Sequence, residues 1–236
     1  MDRYNHVSDY EQTFSVRTFF AQVFGWMSVG LAITAATSWY IFYQKPQVLA
    51  YLIQSPFLLI GLFLVQLGLI FWFSSSILKM SFSTALSIFL FYAFLNGVIF
   101  STVFFTYTQE SLALTFGIAS AMFFAMALFG YVTRIDLTPI GVFGYMALWG
   151  LIISMLVNLY FQSNMFEMVI SAVGVVLFSA LTAFDMQQLR VFAVQVQNGR
   201  GQDIVYQVAL MGALKLYLDF INLFLMLLSF TGKRRD

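Results

Sequence analysis

Seven apolar runs, each near the length needed to cross the hydrocarbon of a bilayer, dominate this chain and leave little over for a soluble domain. Read between polar or Pro/Gly breaks, they fall near 19–43, 56–73, 82–105, 112–132, 139–161, 168–189 and 208–230. A run of roughly 18 or more apolar residues reads as a transmembrane helix, because in hydrocarbon every backbone N–H and C=O must be satisfied within the segment. The sequence therefore predicts an all-α integral membrane protein, a bundle of seven transmembrane helices. Composition agrees: 61% of the 236 residues are hydrophobic and 9% are charged, against about 25% charged in ordinary soluble domains. The 29 Phe and 12 Tyr suit lipid-facing and interfacial positions.

Charge and cysteine content exclude several function classes. A net charge of +1 points to no nucleic-acid partner, and the one basic cluster, Lys233 to Arg235, anchors a terminus. With no cysteine there is neither disulfide nor thiol chemistry, and the single His6 cannot make a histidine metal site. Residues 1–18 read as a short polar tail, and the run after it exceeds the 7–15 apolar residues of a signal-peptide core, so it is expected to be a retained first span. Loops are short except 190–207, where Asn198-Gly199 marks a turn and Arg200 and Asp203 call for water. No internal repeat or linker divides the chain, so 1–236 reads as a single transmembrane domain.

Basic residues near span ends set the expected orientation. With the N-terminus inside and seven crossings, Arg3, Arg17, Lys79, Arg134, Arg190 and Arg200 fall on the cytoplasmic side, and Lys45, Lys233, Arg234 and Arg235 outside. A last segment that dips in and returns would leave Lys45 alone outside. The rule supports a cytoplasmic N-terminus and leaves the last segment open.

Charges inside spans are rarer and more informative. Each costs about 2.5–3.5 kcal/mol at the bilayer centre even on a lenient scale, so it marks a functional candidate. Three qualify: Asp185 towards the end of the sixth span, and Lys215 and Asp219 in the middle of the seventh. Gly212, Lys215, Asp219 and Asn222 share one helical stripe, which must face protein or water. The economical place for such a helix is the centre of the bundle, with Asp185 opposite Asp219 on a neighbour. Asn96 and Asn158 could supply neutral hydrogen bonds. Two carboxylates close together in a low dielectric cannot both ionise cheaply, so they would share a proton and act as a pH switch. Freed of it, they would repel and attract a cation such as Ca²⁺, whose ligands are oxygens. The bland alternative is that Lys215 and Asp219 form an i, i+4 pair that only packs the bundle, with Asp185 reaching water and Arg190. Elsewhere, Thr138 is expected to cap the fifth span ahead of Pro139, Arg190 to reach the interface, and the four Trp to serve packing or the interfacial belt.

Four strings carry a resemblance: Gly212-Ala-Leu-Lys-Leu-Tyr-Leu-Asp-Phe-Ile-Asn-Leu-Phe-Leu-Met-Leu-Leu228, Leu181-Thr-Ala-Phe-Asp185, Gly130-Tyr-Val-Thr-Arg-Ile-Asp-Leu137 and Ala21-Gln-Val-Phe-Gly-Trp-Met-Ser-Val-Gly-Leu31. In order and across nearly the whole chain, they resemble the Bax inhibitor-1 (transmembrane Bax inhibitor motif) family in its bacterial branch. The resemblance implies seven helices with the last central. It also implies a pH-sensitive Ca²⁺ leak governed by a di-aspartyl pair, matched here by Asp185 and Asp219, the two residues that the membrane argument selects. The second span departs from the pattern: 56–73 carries no charge where some bacterial relatives place an Arg, and Gln66 stands where many have Glu. Lys215 and Arg190 are the local cations that could substitute.

Two rival readings fail on their motifs. An intramembrane aspartyl protease normally has Gly-x-Gly-Asp, but Leu216-Tyr-Leu precedes Asp219. A retinal protein would use Lys215, yet the third span offers Asn96 where a counter-ion is expected. The reading is therefore a pH-sensitive calcium leak channel of the bacterial inner membrane, without enzymatic activity or a resident cofactor. Asp185 and Asp219 are its gate and transient Ca²⁺ ligands, and Lys215, Asn222, Arg190 and Asn96 are possible supports. Its partners are the lipid bilayer, calcium ions and other membrane proteins, with no nucleic acid. The alternative is a non-transporting stress-protection regulator that binds other membrane proteins.

Overall fold

A computed structural model of the chain describes residues 2–197 and 202–235, with side chains left aside at 2–15, 78, 196–197 and 202–203. The Asn198-Gly199 turn and Arg200 lie outside the described residues, as do the side chains of Arg3, His6 and Asp203. Of the described residues, 92% are helical. In chain order the helices are α1 (Asp2–Gln44), α2 (Pro46–Gln54), α3 (Pro56–Ser76), α4 (Phe82–Thr106), α5 (Gln109–Val132), α6 (Thr138–Phe161), α7 (Asn164–Gln197) and α8 (Gln202–Thr231), with a 3₁₀ turn at Ile77–Lys79. Seven of them, all but α2, are long and apolar enough to cross a membrane.

The differences from expectation have local causes. No Gly or Pro stands between Asp2 and Phe24, so nothing stops the backbone of α1 from continuing through the region expected to be a tail. Pro46 and Pro56 each open a helix and so cut out the short α2, whose Leu49 and Leu52 are buried one turn apart. The last segment does not double back. Helix α8 runs unbroken for 30 residues, about 45 Å at 1.5 Å per residue, with no point at which it could reverse. At the start of α6 the expected Thr138 cap does not form: Thr138 is already the first helical residue, Leu137 holds the N-cap position without a side-chain bond, and Asp136, one residue earlier, takes the Thr138 backbone N–H at 2.9 Å.

The chain packs as two compact units, Met1–Thr106 with Val191–Leu214, and Tyr107–Arg190 with Lys215–Asp236. In the first, α1 lies on α4 through small residues. Thr34 Oγ1 donates to the Ala93 carbonyl at 3.0 Å and Ser38 Oγ to the Gly97 carbonyl at 2.9 Å. A Cβ on Gly97 would lie 2.6 Å from that of Thr37. Close backbones joined by hydroxyls are the usual adhesive between helices in lipid, where the hydrophobic effect is absent.

In the second unit, small residues again set the spacing. A Cβ on Gly130 would collide with the Ala183 carbonyl, and one on Gly144 would lie 2.7 Å from Leu181. Phe116 and Phe123 of α5 both meet the Phe220 ring edge-on, with centroids 5.5 Å apart. The last span is the most enclosed of the seven, 67% of its apolar window being buried, against 11% for α3 and 17% for α6. That matches the central place expected of it.

Candidate functional site: a carboxylate pair between α7 and α8

Asp185 and Asp219 are both buried, at 3% and 6% exposure. They belong to antiparallel stretches of one unit. Lys215 Nζ lies 3.3 Å from Asp185 Oδ1 and donates to it. The Tyr145 hydroxyl donates to the same oxygen from α6 at 3.2 Å. Asp219 stands one turn further along α8 than Lys215, and its Oδ2 is enclosed with no hydrogen-bond partner. The charges facing it are Asp185 and Lys215. The site thus brings together two carboxylates, one ammonium and one phenol, and the ammonium is committed to Asp185.

Neighbouring packing holds this geometry. Phe184, next to Asp185, has its ring where a Cβ on Gly141 would be, 2.5 Å away, and it meets Tyr145 edge-on at 6.2 Å. Gly141 lets α6 come close enough for Tyr145, one turn on, to reach the carboxylate. Behind Asp185, Gln187 ties α7 to the turn before α6, accepting from Leu137 N and donating to the Ile135 carbonyl.

Of the supports expected from sequence, the structure brings one to the pair. Lys215 is there, but bound to Asp185 and not to Asp219, so the i, i+4 pair of the bland alternative does not form. Antiparallel packing carries the Lys215 side chain across to α7. Asn222 turns back to its own helix, donating to the Leu218 carbonyl at 2.8 Å. Arg190 also leaves the site: it donates to the Tyr131 carbonyl at 2.8 Å and lies over the Tyr131 ring, 5.6 Å from its centroid. Asn96 belongs to the other unit and accepts from Gln66 Nε2 at 3.5 Å. Asn158 closes the end of α6 by accepting from Ser163 N.

Sequence reading overlooked Tyr145, one of several Tyr at membrane depth, whose sole distinguishing sign is a Gly one turn before it. It also overlooked a second polar cluster, in which Glu167 Oε1 accepts from Arg234 at 2.6 Å and from Ser229 at 3.0 Å. That cluster joins the start of α7 to the end of α8. Among the described residues no group of three or more His, Cys, Asp or Glu could hold a metal ion. Two carboxylates with a phenol offer oxygen ligands for transient contact with a hard cation.

Known proteins resemble the chain over nearly its full length. The family described as "Inhibitor of apoptosis-promoting Bax1" matches residues 16–236. The inner membrane protein YbhL of Escherichia coli is 40% identical over 93% of each chain. An uncharacterized protein of Borreliella burgdorferi is 41% identical over 92% of this chain and 93% of its own, and one of Deinococcus radiodurans 38% over 94% and 92%.

Proposed function

Since the chain belongs to the Bax inhibitor-1 family and is a multi-pass inner membrane protein, we propose that it is a pH-sensitive Ca²⁺ leak channel gated by Asp185 and Asp219. The observation that carries this reading is the enclosed, unpartnered Oδ2 of Asp219 beside a second carboxylate. An ionised carboxylate enclosed without a donor costs several kcal/mol. Asp219 is therefore the group that takes a proton as the medium acidifies. Asp185 differs, because Lys215 and Tyr145 both donate to it.

The mechanism follows from that asymmetry. With a proton on Asp219, the pair carries a single negative charge, which Lys215 balances at Asp185, and the α7–α8 seam stays closed. Without it, Asp219 and Asp185 repel across the seam and one ammonium cannot satisfy both. The seam loosens, and the freed oxygens attract a divalent cation. Lys215, 32% exposed at its side chain, can turn towards water and yield Asp185 to the cation. This reading takes the N-terminus as cytoplasmic and assigns no enzymatic step and no resident cofactor.

The test is Ca²⁺ flux into proteoliposomes from about pH 5 to 8, a range in which shared-proton carboxylates titrate. Flux is expected to rise with pH in the wild type, and to stay low and flat in Asp219→Asn, which carries a permanent neutral group. Asp185→Asn should also lose the pH response. Folded protein with no flux above empty liposomes would replace the leak with a non-transporting regulator that binds other membrane proteins.

A further inference from the structure

A cavity of about 470 Å³ lies at the far end of α8 from Lys215, lined by Glu167, Ile170, Ser171, Met226, Ser229 and Arg234 among others. Its position relative to the carboxylate pair follows from helix register. Eleven residues separate Gly174 from Asp185 on α7, and eleven separate Met226 from Lys215 on α8. Gly174 meets Met226, and Asp185 meets Lys215. The two contacts therefore bound one stretch of antiparallel packing, about 16 Å long at 1.5 Å per residue. Asp219 lies within it, seven residues, or about 10 Å, below Met226.

The same faces of both helices continue into the cavity. Lys215, Asp219, Asn222, Met226 and Ser229 follow a 4, 3, 4, 3 spacing, one stripe of α8. Glu167, Ser171 and Gly174 lie on the stripe of α7 that leads to Asp185. Between cavity and carboxylates this stripe is closed at one level. Met226 is 7% exposed, and its sulfur sits where Gly174 has no side chain, 2.5 Å from the position a Cβ would take. A flexible thioether in a glycine notch makes an apolar plug that can leave its seat by rotation alone.

At the mouth, Glu167 receives both the Ser229 hydroxyl and the Arg234 guanidinium on Oε1, which leaves Oε2 for a ligand in the cavity. Arg234 is held there by backbone pairing with Tyr107, and the adjoining Lys233 accepts from Thr108 N and donates to Ser111 Oγ. We infer that this cavity is the mouth of the cation path, with Glu167 as its collecting carboxylate, Arg234 as the tethered charge that opposes cations, and Met226 seated on Gly174 as the constriction above Asp219. The cation assignment rests on the leak reading; the constriction does not.

Because the chain has no cysteine, single cysteines can be introduced without background. Full-length protein in lipid nanodiscs, carrying either Ser229→Cys or Asn222→Cys, is treated with a cationic, water-soluble methanethiosulfonate. Ser229→Cys should react about ten-fold faster than Asn222→Cys, since thiol reactivity follows access. Adding Met226→Ala to Asn222→Cys should bring its rate up to that of Ser229→Cys, and adding Met226→Leu, which keeps the plug, should not. Equal rates with Met226 in place, or no gain from Met226→Ala in monodisperse protein, overturns the constriction. In the flux assay, Glu167→Gln should lower Ca²⁺ entry and Arg234→Ala raise it, each by about three-fold, the effect of one charge at a mouth. Unchanged flux in both variants overturns their roles. Labelling as expected with no flux in any variant sinks the leak and keeps the constriction; flux in the wild type with Met226-independent labelling does the reverse.

Discussion

At the residue scale, the informative partner is Lys215, because its placement decides which carboxylate is left without a donor. Sequence reading identified Lys215, Asp185 and Asp219, since charges in apolar runs stand out in any chain. It could not choose between an i, i+4 bond along α8 and a bond across to α7, because that choice depends on the register of two helices. The observed register favours Asp185. Lys215→Met leaves Asp185 with Tyr145 as its remaining donor and should destabilise the protein by about 1–3 kcal/mol, less than for a fully buried pair because the lysine is partly exposed. Thermal unfolding in detergent measures this. The double variant with Asp185→Asn should lose clearly less than the two single losses combined, as residues in one pair must. Strict additivity would show that the contact contributes nothing.

At the element scale, span existence and type were legible, while helix ends and packing contacts were not. The unexpected α2 follows from Pro46 and Pro56, which mark starts as well as breaks, and the glycines that set helix spacing look alike in sequence whether or not a neighbour fills them. Gly25 and Gly117 have open space beside them, whereas Gly130 is pressed on the Ala183 backbone. Gly130→Ala should therefore cost about 1–3 kcal/mol, the range for overpacking against atoms that cannot rotate away, and Gly117→Ala should cost nothing measurable in the same unfolding experiment. The start of α6 gives a pH-dependent counterpart. Hydrogen bonds from the Thr138 side chain and backbone hold the Asp136 carboxyl below its ordinary range. A group whose pKa is lowered on folding stabilises fully above its unfolded value, about 3.9, and loses that contribution as pH falls through the lowered one. The stability difference between wild type and Asp136→Ala should thus be constant at neutral pH and close below about pH 4. A difference that persists unchanged to lower pH would mean that the ionised carboxylate is not what these Thr138 bonds stabilise.

At the scale of the whole molecule, sidedness is the property that sequence and structure approach from opposite directions. The basic-residue rule alone gives a bias of six to four for a cytoplasmic N-terminus with seven crossings, and a much larger one if the last segment turns back. The unbroken α8 removes the second option. Arg234 is bound to Glu167, and Lys233 is fixed through its backbone to the start of α5. At least one of the four basic residues assigned outside is thus committed to a carboxylate partner that sequence spacing could not reveal, 67 residues away. Charge neutralised in this way opposes export less than free charge does, so the apparent counter-signal shrinks and a cytoplasmic N-terminus with an exported C-terminus is favoured. Alkaline phosphatase, which needs an oxidising compartment for its disulfides, provides the readout. Fused after Arg235 it should be active, and fused after Arg134, between α5 and α6, inactive. Activity at the second position and silence at the first would invert the molecule in the membrane, turning the Glu167 cavity to the cytoplasm and reversing the side from which acid reaches Asp219.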